Sequence, residues 1–195
     1  IQSRAPIMLL SNKLDSSELD VIVNKFKPSY LICSKNLCNF CANKPTKRTL
    51  ENYYLYEFTQ FGSVKILDDL ALLLPTSGST GSAKFVRISY QNILSNAQSI
   101  IKFLKINCED VSITTLPMSY SFGLSIINTY VDMGACLVLT NTSIVERDFW
   151  NLISKHSVTS ISGVPYTFQL LKQLGFLRKS YPSLRTITQA GGGLD

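Results

Sequence analysis

The chain has 195 residues, 45% hydrophobic and 16% charged, enough for one sizeable core or two small packed layers. No apolar run reaches the roughly eighteen residues of a membrane span; the most apolar region, residues 124–139, is broken by Asn128, Asp132 and Gly134. The net charge of +6 is local: residues 24–50 hold Lys25, Lys27, Lys35, Lys44, Lys47 and Arg48 without an acid, and elsewhere thirteen bases balance thirteen acids.

A basic patch on residues 24–50 could meet nucleic acid or an anionic surface, but such clusters are more often a solvated loop, and interleaved aromatics are nearly absent. The chain starts at Ile1 without a basic-then-apolar leader, so it is read as a piece of a longer protein in a cytoplasmic setting. Of five cysteines, Cys33, Cys38 and Cys41 form a C-x4-C-x2-C run that invites zinc. Three thiols and a distant single histidine do not complete a four-ligand site, and the odd count argues against a disulfide framework. Reduced thiols and no metal centre are expected.

In chain order, residues 7–10 are a short strand, and Ser16 or Ser17 is expected to cap a helix with Leu19, Val21, Ile22 and Phe26 as its apolar stripe. Pro28 ends that helix, residues 30–33 form a strand, residues 34–50 a loop of low order, and residues 53–58 an aromatic-rich strand. Residues 1–70 are assigned to part of a first α/β subdomain, and residues 71–195 to a hairpin plus a second one.

Leu72, Leu73 and Leu74 read as the end of a buried strand stopped by Pro75. A loop of hydroxyls and glycines follows, Thr76, Ser77, Gly78, Ser79, Thr80, Gly81 and Ser82, then Lys84 and a second strand from Phe85. Glycines let backbone approach a ligand, clustered N–H groups and hydroxyls can surround phosphate oxygens, and lysine adds a point charge. A plain hairpin turn is the simpler alternative, although it needs fewer polar residues than these. The loop is not of the Walker type, because Ser82 and Ala83 separate Gly81 from Lys84 and a strand rather than a helix follows.

From residue 89 the apolar rhythm becomes regular. Helices are expected at 90–105, 122–133, 145–156 and 165–174, alternating with strands at 111–116, 136–140, 160–164 and 185–190. Ile93, Leu94, Ala97, Ile100, Ile101 and Leu104 give the first of these helices its stripe. The expected fold class is α/β, a mostly parallel sheet flanked by helices, with ligands beyond the carboxyl ends of the strands. Three loops leave those ends: residues 116–124 with Pro117, Tyr120, Ser121 and Gly123; Gly163-Val164-Pro165; and Ala190-Gly191-Gly192-Gly193. Each admits a bland reading as packing or turn. No nucleophile constellation is visible, and His156 lacks a partnered acid or serine, so it is read as structural.

Thr76-Ser77-Gly78-Ser79-Thr80-Gly81-Ser82-Ala83-Lys84 resembles the signature of the adenylate-forming superfamily, which includes acyl-CoA synthetases and peptide-synthetase adenylation domains. Residues 117–124 and 184–194 resemble its second and third motifs, in the same order. The resemblance implies that Thr76 to Gly81 and Lys84 hold the phosphates of ATP with Mg²⁺. It implies further that Ala190, Gly191, Gly192 and Gly193 border adenine and acyl group. Tyr120, Ser121, Gly123, Gly163, Val164 and Pro165 would line the acyl pocket. The implied reaction joins a small carboxylic acid to AMP with release of pyrophosphate, then passes the acyl group to coenzyme A or a carrier-protein thiol. No protein nucleophile is needed, and no catalytic residue is assigned within the chain.

Ala83 and Phe85 depart from the family's usual proline and glycine, Tyr120 stands where many acyl-CoA synthetases carry histidine, and Ser121 falls about where amino-acid activators carry aspartate. Later motifs and a C-terminal catalytic lysine are absent before Asp195, so the isolated chain is expected to be inactive. Two other classes stay open: a non-catalytic nucleotide-binding or interaction module of the same fold, and a nucleic-acid binder using residues 24–50.

Overall fold

A computed structural model describes residues 5–34, 47–50, 53–59, 66–76, 84–178 and 180–193. The chain divides into two compact units, one drawn from Ile1–Leu9, Asp69–Pro75 and Phe85–Asp195, the other from Leu10–Asp68 and Thr76–Lys84.

In the smaller unit, helix α1 (Ser16–Phe26) begins at Asp15 rather than at a serine. Asp15 accepts a hydrogen bond from the Glu18 N–H at 2.8 Å, and Glu18 accepts from the Asp15 N–H at 3.1 Å. The reciprocal pair satisfies two orphan amides, which a lone serine would not. The buried stripe is Leu19, Ile22 and Val23, while Val21 is 63% exposed. Val21 lies two residues, about 200°, around the helix from Leu19, so it cannot share that face. Strands β2 (Tyr30–Ser34), β3 (Lys47–Leu50) and β4 (Tyr53–Glu57) form an antiparallel sheet in the order β2-β4-β3. Residues 47–50 are therefore strand where a loop was expected. Their polar sequence carries no strand signal, and pairing with the tyrosine-rich β4 decides it. Leu19, Val23 and Phe58 make the core of this unit, with Leu10 and Leu31 packed against it.

In the larger unit, β1 (Ile7–Met8), β5 (Leu70–Pro75) and β6 (Phe85–Ser89) form a mixed sheet; β5 runs parallel to β1 and antiparallel to β6. Pro75 is the last residue of β5, opposite Phe85, rather than a stop before the strand's end. At a strand terminus its missing N–H costs little. Ser89 caps α2 (Tyr90–Leu104) by accepting from the Asn92 N–H at 3.1 Å. Ala97 is buried, Ile93 packs on Ala71, Leu72 and Leu74, and Ile100 and Leu104 pack on Ile106, Ile126 and Tyr130, whereas Leu94 is exposed, so the stripe is narrower than expected.

Beyond α2 the expected alternation is present. Strands β7 (Val111–Ile113), β8 (Cys136–Val138), β9 (Ser160–Gly163) and β10 (Thr186–Gln189) form an all-parallel sheet in the order β10-β9-β7-β8. Between them run α3 (Ser121–Met133), α4 (Arg147–Lys155) and α5 (Pro165–Gln173). Gly134 ends α3 in the left-handed conformation at φ 69°, and Pro165 opens α5. Val111, Ile113, Val138 and Ile161 meet Phe149, Ile153 and Leu171 from α4 and α5 in the main core. The opposite face carries Ser112, Ser160 and Ser162, all buried, and receives α3, whose Tyr130 hydroxyl lies 2.5 Å from Ser160 Oγ. Helices thus leave β7 for one face and β9 for the other.

Candidate active site

Connection β7–α3–β8 proceeds to one side of β7, whereas β9 and β10 lie on the other. The order therefore reverses between β7 and β9. At such a switch point the loops leaving adjacent strands turn to opposite faces and leave a crevice beyond the carboxyl ends. The loop after β7 leads to Tyr120 and α3, and Gly163 to Pro165 leads into α5.

Backbone geometry at these loops depends on small residues. A Cβ on Gly123 would lie 2.4 Å from the Pro117 carbonyl oxygen, so only glycine lets the first turn of α3 fold back on its own entry loop. Tyr120 occupies the N-cap of α3 without giving a side-chain cap, which leaves helix N–H groups for a ligand or water. At α5, the Val164 N–H donates to Thr167 Oγ1 at 3.2 Å, closing that turn from within.

The third loop joins these two. Gly191 and Gly192 adopt φ values of 91° and 155°, in the region that favours glycine. A Cβ on Gly191 would sit 3.2 Å from the Tyr120 hydroxyl and 3.6 Å from Val164 Cγ1; one on Gly192 would sit 3.1 Å from Pro165 Cγ. Gln189 Nε2 donates to the Gly192 carbonyl at 2.7 Å and secures the turn. Beyond it, a Cβ on Gly193 would meet nothing within 4 Å among the described residues.

Tyr120, Val164, Pro165, Gly191 and Gly192 are therefore neighbours although up to 72 positions separate them in sequence. Residues 116–124, 163–166 and 189–193 contain no carboxylate and no cation. Their crevice offers hydroxyls, backbone groups, an aromatic ring and the positive ends of two helices, which suits a flat ligand with an anionic group.

Thr76 and Lys84, the residues just beyond β5 and just before β6, face each other across the hairpin. The Thr76 N–H donates to the Lys84 carbonyl at 2.9 Å, and both residues are exposed. Ser77, Gly78, Ser79, Thr80 and Gly81 lie outside the described residues, as do Cys38 and Cys41. Cys33 is buried in β2, and burial pushes its thiol pKa up. No group of three metal-ligating His, Cys, Asp or Glu side chains occurs among the described residues. His156 is exposed at the carboxyl end of α4.

Sequence reading passed over the hydroxyls beneath the crevice. Thr115 Oγ1 donates to the Ser162 carbonyl, and Thr188 Oγ1 donates to Ser162 Oγ at 2.7 Å. Only their common place at or just beyond the carboxyl ends of three strands, Thr115 two residues past β7 and Ser162 and Thr188 one residue from the ends of β9 and β10, could have flagged them. At the other end of the sheet, Asp110 accepts from Thr159 at 2.8 Å and from Arg185 at 2.5 Å. Burial works against its charge, but the Asn107 N–H, the Thr159 hydroxyl and the Arg185 guanidinium outweigh it and hold the carboxyl below the usual range.

No helix among the described residues is long and apolar enough to cross a membrane. The chain is similar to o-succinylbenzoate CoA synthetase of Bacillus subtilis, solved with an acyl-adenylate intermediate: TM-score 0.74, 25% identity, covering 96% of this chain and 50% of that one. It is 29% identical over 196 residues to a long-chain-fatty-acid–CoA ligase of Escherichia coli O157:H7, covering 89% of this chain and 34% of the ligase. It is 26% identical over 185 residues to nonribosomal peptide synthetase GRA1 of Gibberella zeae, covering 90% of this chain and 2% of the synthetase. The chain thus spans half or less of each relative's length. The AMP-binding enzyme model matches residues 2–195. Motif order, the α/β fold with a strand-end crevice at its switch point, and that match agree: the chain belongs to the AMP-binding enzyme family.

Proposed function

We propose that this chain supplies part of the active site of an ATP-dependent ligase that activates a carboxylic acid as its acyl-adenylate. The observation that carries this reading is the meeting of Tyr120, Val164, Pro165, Gly191 and Gly192 at the carboxyl ends of β7, β9 and β10. The side-chain-free surface of Gly191 to Gly193 is suited to an adenine ring and the adjoining acyl chain. Tyr120, Ser121, Gly123, Gly163, Val164 and Pro165 would wall the acyl group. Thr76 to Gly81 with Lys84 would hold the triphosphate; Thr76 and Lys84 are exposed at the hairpin's mouth, as this role needs.

In the reaction, a carboxylate oxygen attacks the α-phosphorus, forming the acyl–phosphate bond while the bond to the β-phosphate oxygen breaks. Pyrophosphate carries away the electron pair, and no proton moves on the protein. The thiol of coenzyme A or of a carrier protein then displaces AMP. The donor set at Thr76 and its neighbours is hard oxygen, compatible with magnesium, which would neutralise phosphate charge when bound. What the protein's own groups contribute is fixed orientation and preorganised dipoles, including the helix ends of α3 and α5. These substrates imply a cytoplasmic setting.

The test has two parts. Isothermal titration should show binding of AMP and of acyl-sulfamoyl adenosine. ATP–pyrophosphate exchange by the full-length protein should depend on one class of acid in a panel. If neither nucleotide binds at millimolar concentration and no acid supports exchange, the proposal fails and a non-catalytic module is the better description.

A further inference from the structure

The backbone ladder between β7 and β9 is short. It pairs Ser112 with Ser160 and Ile113 with Ile161, then ends. On the other side of β9 the ladder continues to Gln189 opposite Gly163, and the Ala190 N–H still donates to the Gly163 carbonyl at 3.3 Å. At the switch point, therefore, β7 and β9 part company two residues before β9 and β10 do. Where the ladder stops, a side chain takes over: Thr115 Oγ1 donates to the Ser162 carbonyl. Ser162, itself buried, passes the connection on by accepting from Thr188 Oγ1 at 2.7 Å. The preceding residue, Thr114, braces the opposite neighbour; its N–H donates to Val138 at 3.0 Å and its hydroxyl to Thr140 at 3.2 Å.

We infer that Thr115, Ser162 and Thr188 form a hydroxyl strut across the switch point that sets the width of the crevice above it. Each member adjoins a crevice loop: Thr115 immediately precedes residues 116–120, Ser162 precedes Gly163-Val164-Pro165, and Thr188 lies two residues before Ala190. The strut would act through the loops it holds, so these are positioning residues. A backbone ladder at this point would force the two loops together, and no bond at all would let them drift. One hydroxyl on one carbonyl fixes their spacing while leaving the crevice open. The functional meaning of that spacing rests on the adenylate-site reading proposed above.

Native-state hydrogen exchange tests the strut without a ligand, and titration with acyl-sulfamoyl adenosine tests its purpose. Thr115→Val keeps the shape and removes the donor. It should speed exchange at residues 118–124 and 164–170 about tenfold, leaving Phe149 to Ile153 within about twofold. Thr115→Ser should restore the wild-type pattern, and Thr188→Val should act on residues 190–193. Affinity for the analogue should fall about tenfold in Thr115→Val and recover in Thr115→Ser. A uniform change across the unit, no change, or failure of serine to rescue would overturn the strut. If the exchange pattern holds but the wild-type chain does not bind the analogue, the strut stands and the adenylate-site reading fails. Thr188→Val carries the exchange test if Thr115→Val does not fold.

Discussion

The two faces of the four-stranded parallel sheet are made of different chemistry and do different work. One face, under α4 and α5, is aliphatic and aromatic: Ile113, Val138, Ile161, Phe149, Ile153 and Leu171 interlock with almost no exposure. The other, under α3, is a run of buried hydroxyls on Ser112, Ser160 and Ser162, joined by Tyr130 and Thr188. Burial of apolar area stabilises without regard to direction, so the first face supplies cohesion. Hydrogen bonds add little net stability but fix distance and angle, so the second face supplies register, and it lies under the crevice. Within one sheet, stability and positioning are assigned to opposite sides.

The contrast predicts a graded set of losses. Phe149→Ala removes a ring with 0% exposure from the aliphatic face and should cost about 3–5 kcal/mol in urea unfolding. Tyr130→Phe leaves the packing intact but strips Ser160 of its partner; the expected cost is about 1–2 kcal/mol. If the phenylalanine variant cost as much as the alanine one, the division between faces would collapse.

Acidification probes the polar end of the sheet. Asp110 is held below its ordinary value of 3.8, so at low pH the unfolded chain binds its proton first. Stability from this group is full above the unfolded pKa and is lost as pH falls from about 3.8 through the folded value. Asp110→Asn should flatten that part of the stability–pH curve. The effect should be smaller than that of Tyr130→Phe, because Arg185 is half exposed and its charge screened.

The smallest effect is expected at Ser112. Its hydroxyl is fully buried and meets the geometry of a hydrogen bond with no described residue, the Tyr130 hydroxyl beside it being engaged at 2.5 Å by Ser160. Ser112→Ala removes an unsatisfied polar group and should be neutral or stabilising by up to about 1 kcal/mol. A clear loss on chemical unfolding would mean that this hydroxyl also serves the register of the face.

Most of the larger unit was legible in the chain because its signals are local. Ser89 before an apolar helix, Gly134 after α3 and Pro165 at the start of α5 each act within a few residues, and all three stand where expected. Errors fell where a second element decides. Lys47 to Leu50 became a strand because β4 lay beside it, and Leu94 is exposed despite belonging to an apolar run. Asp15 outcompetes the serines for the cap because Glu18, three residues on, bonds back to it.

The same boundary separates what the candidate site owes to each level. By itself the sequence determined which loops carry glycine, proline and hydroxyl, since those residues set local backbone freedom, and it determined the family through the order of three motifs. Only the tertiary structure decided that Tyr120 meets Gly191 and that Pro165 meets Gly192, because strand order is settled by long-range packing. It alone decided that Thr115 spans the gap to Ser162. A hydroxyl's partner cannot be read from its neighbours in the chain when the bond crosses 47 residues.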